Sequence, residues 1–389
     1  MRSPLPRSPN PRLGAGLDTV LGRALAERRI VGAVVLVAHD GQLVHAGVAG
    51  LADREAARPM REDAIFRLAS ITKPIVAAAA MRLVETGTLA LDQPVTRWLP
   101  EFAPQLADGT APTITIAHLL SHTAGLGYGF QEPEDGPYHR LGISDGLDQP
   151  GLSITENLDR LARAPLFYAP GTGWRYSLAM DVLGAVIEQA AGRPLPDVVR
   201  TLVTGPLGMA DTGFTVTDRS RLAAAYANGE PEPTRMGAEA AVFLWDGSVR
   251  FAPDRIFDPA SYPSGGAGMA GTAGDILAFL EAIRTGGAPI LRPETVGTMM
   301  RNQVGAMAET LEPGWGFGYG WAVVDDPTPT GTPQSAGTIR WGGVYGHSWF
   351  VDPACRLSVV TLTNTAFEGM AGALTLEIRD AVYHGLAPR

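Results

Sequence analysis

Strand signals sit at the two ends of this chain and nearly vanish between them, which restricts the fold more than any single motif. Residues 31–39 form a valine-rich run that Asp40-Gly41 joins to a second apolar run at 42–49. Asp-Gly between two such runs is a hairpin signal, because the favoured two-residue turn needs positive φ at both central positions. Strand patterns return only at 316–324, 338–341, 346–351 and 356–364. From 89 to 218 helices are predicted instead, as at 116–121, 154–164 and 180–191, alternating with Gly/Pro loops. Residues 228–265 read as irregular and proline-containing.

Helical spacing also predicts a helix at 17–29, and an alanine-rich helix at 69–87 tolerates Pro74 because proline fits a first turn. Further helices are expected at 272–284 and 367–384. The simplest architecture using all these elements is an α+β fold: one antiparallel sheet built from both chain ends, flanked by helices, with a mainly helical domain inserted. The expected division is a loose tail at 1–13, an α/β domain of 14–88 and 266–389, and the insertion at 89–265. A site between the two lobes is expected, since pockets favour such places.

Composition narrows the partners. Of 389 residues, 45% are hydrophobic and 18% charged, which excludes a mostly disordered chain. A net charge of −9 without any basic run leaves no electrostatic footprint for nucleic acid or an anionic membrane. A small-molecule substrate is the expected partner; oligomeric state is not readable. Residues 1–13 have no apolar stretch behind them, so neither a signal peptide nor an anchor is expected there. The one cysteine, Cys355, excludes an intramolecular disulfide, suits a reducing and therefore cytoplasmic setting, and is expected to pack inside a strand. The histidines offer no zinc-ligand set, so neither metal nor cofactor is expected.

The chain contains one lysine, Lys73, against 30 arginines. Guanidinium stays protonated, whereas a partly buried ammonium can lose its proton near neutral pH and act as a base. Ser70 lies three residues earlier, on the same face of the predicted helix and near its amino end. This is the arrangement of a nucleophile beside its base, with helix-end amides close by to favour an oxyanion. An arginine-biased chain can also leave its one lysine anywhere, so the spacing needs company.

It has company in Tyr176-Ser177-Leu178, preceded by Pro170-Gly171, and in Trp341-Gly342-Gly343-Val344. Leu119-Leu120-Ser121-His122-Thr123-Ala124-Gly125-Leu126 and Gly205-Pro206-Leu207-Gly208-Met209 accompany them. In this order the segments resemble the serine β-lactamase and penicillin-binding-protein superfamily, in its class C branch, over roughly residues 17 to 385. Two departures narrow the resemblance. The second motif of β-lactamases usually ends in asparagine, where this chain has Leu178. The third is usually Lys-Thr-Gly, where this chain has Trp341-Gly342-Gly343 and no second lysine. The pattern is instead similar to the family VIII carboxylesterases, which hydrolyse short-chain esters on this fold.

The resemblance implies Ser70 as nucleophile, with Lys73 and Tyr176 sharing its deprotonation and Tyr176 returning a proton to the leaving alcohol. It implies the amides of Ser70 and Val344 as the oxyanion hole, and Trp341, Gly342 and Gly343 as substrate contacts. His347 offers a competing alignment of the third motif. Tyr128 lies in a long loop at 127–153 of the kind that often binds substrate. His122 reads as structural.

Two other classes have claims. Gly142-Ile143-Ser144-Asp145-Gly146 matches G-x-S-x-G, but that motif needs a buried strand before it and a helix after it. Here a polar, proline-containing stretch precedes it and a loop follows. The fold could also serve a β-lactamase, a D-Ala-D-Ala peptidase or a non-catalytic binding module. A pure binder has little use for a base beside a serine.

Overall fold

The alternation of apolar side chains in the first strand explains the whole layered arrangement. In β1 (Gly32–His39), Ala33, Val35 and Val37 face one way and Val34, Leu36 and Ala38 the other, and all six are buried. A strand buried on both sides must lie inside a sheet covered on both faces. The structure is a computed structural model that describes residues 5–387 apart from 217, 245, 246 and 311.

β1 is followed by β2 (Gln42–Asp53), β3 (Arg58–Pro59) and β4 (Ile65–Arg67). Later come β5 (Tyr226–Ala227), β6 (Thr234–Arg235), β7 (Ala240–Leu244), β8 (Gly247–Phe251) and β9 (Ala270–Thr272). The chain closes with β10 (Trp315–Phe317), β11 (Ala322–Val324), β12 (Ile339–Gly343), β13 (His347–Asp352) and β14 (Leu357–Thr363). The main sheet runs β10-β11-β12-β13-β14-β1-β2-β3, so a late strand and an early one pair at its centre. That pairing is antiparallel, with Val35 opposite Thr361. Helices Pro11–Ala26 and Ala373–Leu386 pack together on one face through Leu13, Leu17, Leu374 and Ile378. Helix Ala273–Arg284 covers the other face against β1 and β14. The expected α+β architecture, with the sheet drawn from both chain ends, is what forms.

Three local expectations are corrected. The first helix begins at Pro11, not 17, because Asn10 Oδ1 accepts from the amides of Arg12 and Leu13, a side-chain cap followed by proline in the first turn. Residues before it are tied to the sheet as well: Ser8 N donates to Leu43 O and Asn10 N to Val44 O, so the loose tail does not extend to residue 13. Cys355 lies exposed in the turn between β13 and β14 rather than inside a strand. The stretch 228–265, expected to be irregular, contains the β7–β8 hairpin, which packs on the 129–131 turn. Among the described residues no helix is long and apolar enough to cross a membrane.

Candidate active site

Ser70 sits on a single 3₁₀ turn, Ala69–Ile71, that runs directly into the helix Thr72–Glu85. Strand β4 delivers the chain to this turn, paired with β9 and held by a bond from Leu68 N to Met269 O. Ala69 has φ +45° and is fully buried. A non-glycine residue in that region is held there at a cost by its surroundings, as is common next to reacting groups. Thr72 Oγ1 accepts from Met269 N, tying the helix start to the same flanking segment.

Lys73 projects from the first turn of the helix and is completely buried. As an ammonium it donates to Ser70 Oγ at 3.0 Å and to the Gly266 carbonyl at 2.7 Å. Its Nζ stands 4.5 Å from the ring centroid of Tyr176 and 5.3 Å from that of Tyr128. Burial pushes its pKa down to about 7, against the opposing pull of Asp181 and Asp145. Lys73 can therefore exist as a free amine near neutral pH.

Tyr176 comes from the loop ahead of helix Ala179–Ala191, and its hydroxyl lies 2.6 Å from Ser70 Oγ. Trp341 Nε1 donates to that hydroxyl at 3.3 Å. Burial raises the phenol's pKa, so Tyr176 holds its proton at neutral pH. Behind it stands His122, fully buried, with Nδ1 3.1 Å from Ser177 Oγ and its ring 4.9 Å from that of Tyr176. Trp174 and Phe317 complete the aromatic wall, each ring packed on His122. Tyr128 is 3% exposed, stacks on Phe130 and leans at a tilt against Tyr176.

Strand β12 runs against the Ser70 turn. Gly343 allows that approach, because a Cβ there would sit 2.4 Å from the Leu68 carbonyl oxygen. Val344 follows at the strand end, 6% exposed, and its carbonyl accepts from Phe367 N. Gly342 is half-buried, yet a Cβ there would meet His347 O at 2.7 Å. His347 lies under the strand, 1% exposed, with Nε2 donating to the Arg67 carbonyl at 2.7 Å. Burial lowers its pKa to about 4, so it stays neutral. Its contacts are with Phe66 and Arg67 rather than with Ser70, Lys73 or Tyr176.

The structure thus gathers Ser70, Lys73, Tyr176 and Trp341 into one hydrogen-bonded group, with Tyr128 against the ammonium and His347 set apart. Asp181, Ser264 and Gly266 join the surroundings of Lys73 without having been singled out. Ser144 of the G-x-S-x-G match is fully buried and donates to Asp148, and among the described residues no hydrogen bond joins it to a histidine. His118 and His122 are spaced four apart, yet His118 Nδ1 caps Thr115 N while His122 faces Ser177. Among the described residues no group of three or more His, Cys, Asp or Glu side chains is placed to hold a metal ion.

Comparison with known proteins extends this geometry to the whole chain. The family model Beta-lactamase matches residues 17–383. Esterase EstB of Burkholderia gladioli is 60% identical over 375 residues, covering 95% of this chain and 95% of that protein. Among solved structures, "EstCE1, a hydrolase with promiscuous acyltransferase activity" superimposes with a TM-score of 0.94 at 51% identity, covering 96% of this chain and 99% of that one. Unliganded simvastatin synthase LovD from Aspergillus terreus shares the fold, with a TM-score of 0.76 at 22% identity over 96% of this chain and 98% of that one. A short motif can recur by chance, but a match across nearly every element around a Ser-Lys-Tyr centre cannot, and this chain belongs to the beta-lactamase family.

Proposed function

We propose that the chain is a serine carboxylesterase of the family VIII type, hydrolysing short-chain, uncharged esters through an acyl-enzyme intermediate. One observation carries the reading: Ser70 Oγ lies between the Lys73 amine and the Tyr176 hydroxyl, at 3.0 Å and 2.6 Å. With Lys73 neutral, the Ser70 hydroxyl gives it a proton as Oγ attacks the ester carbonyl. The amides of Ser70 and Val344 receive the oxyanion. The tetrahedral intermediate then collapses, the C–O bond to the alcohol breaks, and Tyr176 relays the proton to the departing oxygen. Water repeats the sequence on the acyl-enzyme and releases the acid.

The preference for neutral esters rests on what the site lacks for anions and amides. Lys73 is the chain's one lysine and is committed to Ser70, so none is left to grip a substrate carboxylate. Leu178 is fully buried at the position where penicillin-recognising enzymes use asparagine on an amide. Weak β-lactam hydrolysis as a side activity fits the shared acylation chemistry. A cytoplasmic setting would suit an exposed, unpaired Cys355.

The test sets rates on p-nitrophenyl acetate, butyrate and octanoate beside those on a chromogenic cephalosporin and a D-Ala-D-Ala peptide. Faster turnover of the short esters, abolished by Ser70→Ala and retained in Ser144→Ala, is expected. Preference for the cephalosporin or the peptide, or loss of activity in Ser144→Ala alone, would overturn the reading.

A further inference from the structure

Two buried carboxylates influence Lys73, and they are differently engaged. Asp145 uses both oxygens on backbone amides, Oδ1 on Gly129 N at 2.9 Å and Oδ2 on Phe130 N at 3.3 Å. It braces the 129–131 turn. Asp181, 2% exposed in the first turn of helix Ala179–Ala191, accepts from Ser264 Oγ through Oδ1. Its Oδ2 lies against Gly266, where a Cβ would come within 2.4 Å of it. Gly266 is the residue whose carbonyl accepts from Lys73. Ser264 is itself fully buried and its Oγ accepts from Ala267 N, so the 264–267 segment is built around both side chains.

We propose that Asp181 is a positioning residue for acylation: its buried carboxylate, seated against Gly266, stabilises the ammonium that Lys73 becomes when it takes the proton of Ser70. No bond to Asp181 forms or breaks. The proton moves from Ser70 Oγ to Lys73 Nζ and later, through Tyr176, to the leaving oxygen, while Asp181, whose own pKa burial raises and the bond from Ser264 Oγ holds down, supplies the negative charge that favours the charged state of the base.

Asp145 is the other carboxylate that acts on Lys73; it is tied to two backbone amides, and burial pushes its pKa up to about 7, so it carries only part of a charge at neutral pH. Tyr128 and Tyr176 face Lys73 as neutral phenols and His122 as a neutral imidazole, each kept uncharged by burial. On the Asp181 side Tyr262 is a neutral phenol as well. Arg255 is a permanent cation that acts on Asp181, and its guanidinium donates to the carbonyls of Asp148 and Tyr262. Lys73 is therefore the neighbour of Asp181 whose charge changes during the reaction. The inference rests on the esterase reading for its purpose, though not for its measurement.

Because the chain has one lysine, incorporation of lysine labelled with ¹³C at Cε gives a single resonance that titrates with Lys73 alone. Asp181→Asn keeps an oxygen for Ser264 and removes the charge. The Lys73 titration midpoint is expected to fall by about half a pH unit or more, given the usual size of such charge effects. The acid limb of kcat/KM on p-nitrophenyl butyrate is expected to move the same way. A smaller shift, or an upward one, in a variant that melts cooperatively would overturn the proposal, whatever its maximal rate. Should Asp181→Asn fail to fold, Asp181→Ser, which also removes the charge, decides by the same threshold. The titration needs no substrate. A wild-type protein without ester turnover would overturn the esterase reading alone, and an active one with an unmoved midpoint would overturn this inference alone.

Discussion

The Tyr176 hydroxyl lies 2.6 Å from Ser70 Oγ, closer than the Lys73 amine at 3.0 Å, so the phenol is the nearer of the two groups that can exchange a proton with that hydroxyl. Tyr176→Phe keeps the ring that packs on His122 and Trp341 and removes only the hydroxyl. Loss of a positioned acid–base group predicts a fall in kcat of roughly 10²- to 10⁴-fold. Trp341→Phe removes a single donor to that hydroxyl and is expected to cost about tenfold, in line with one hydrogen bond. Steady-state rates on p-nitrophenyl butyrate check both, and a Trp341→Phe loss as large as that of Tyr176→Phe would contradict the assignment.

The base role proposed for Lys73 predicts a pH profile. With its pKa lowered to about 7, the amine is protonated below that pH, and kcat/KM is expected to rise with pH through this range before levelling. Lys73→Arg should be as inactive as Lys73→Ala, because a guanidinium cannot accept the proton. An active arginine variant would remove Lys73 from the base role.

The same burial costs stability. An unfolded lysine keeps its proton up to about 10.4, while the folded one releases it near 7, so between these values the unfolded chain binds more protons and stability rises with pH. At pH 7 the depressed pKa corresponds to a cost on the order of 4 kcal/mol. Lys73→Met, which fills similar space without a charge, is expected to melt at a higher temperature than wild type while losing activity. The gap should narrow as pH rises from 7 toward 10. Melting curves across that range test it, and a gap that widens with pH would be the contrary result.

Gly343 is predicted to be intolerant of a side chain. Gly343→Ala would press a methyl group against the Leu68 carbonyl at 2.4 Å and His347 Cδ2 at 3.2 Å, forcing β12 away from the Ser70 turn. A loss of about 1–3 kcal/mol is expected from such overpacking. Activity should fall further than stability explains, because the Val344 amide moves with the strand. Denaturant melts combined with rates on the folded fraction would show this, and wild-type specific activity in the folded fraction would refute it.

Much of this organisation was legible, for identifiable reasons. The central strands announced themselves because β1 is apolar on both faces, β14 is rich in valine, leucine and threonine, and Asp40-Gly41 marks a hairpin. Ser70 and Lys73 were readable because a helix turn fixes their separation, and Tyr176 and Trp341 because ordered motifs accompany them. Asp181 and Gly266 were not readable. No spacing rule links residue 73 to residues 181 and 266, which meet only through folding. Cys355 was misplaced because residues 356–364 read as a strand, whereas the turn ahead of β14 extends through Arg356. The Asn10-Pro11 start signal was present, but it was hidden in a stretch that looked like a tail. The β7–β8 hairpin was missed because Pro231, Pro233 and Pro253 around it suggested loop.

The pairing of β1 with β14 has a consequence for biosynthesis. A ribosome releases β1 and β2 early, but β1 cannot gain its second neighbour until residues 357–363 have emerged, after almost the entire polypeptide. Throughout elongation the valine-rich edge of β1 stays open, and such edges invite pairing with other nascent chains. Sheets closed by partners this distant in sequence also fold slowly. Yield of the native protein should therefore depend on how well that open edge is shielded while translation finishes, so slower synthesis at lower growth temperature with chaperone support favours recovery more than any change at the catalytic centre.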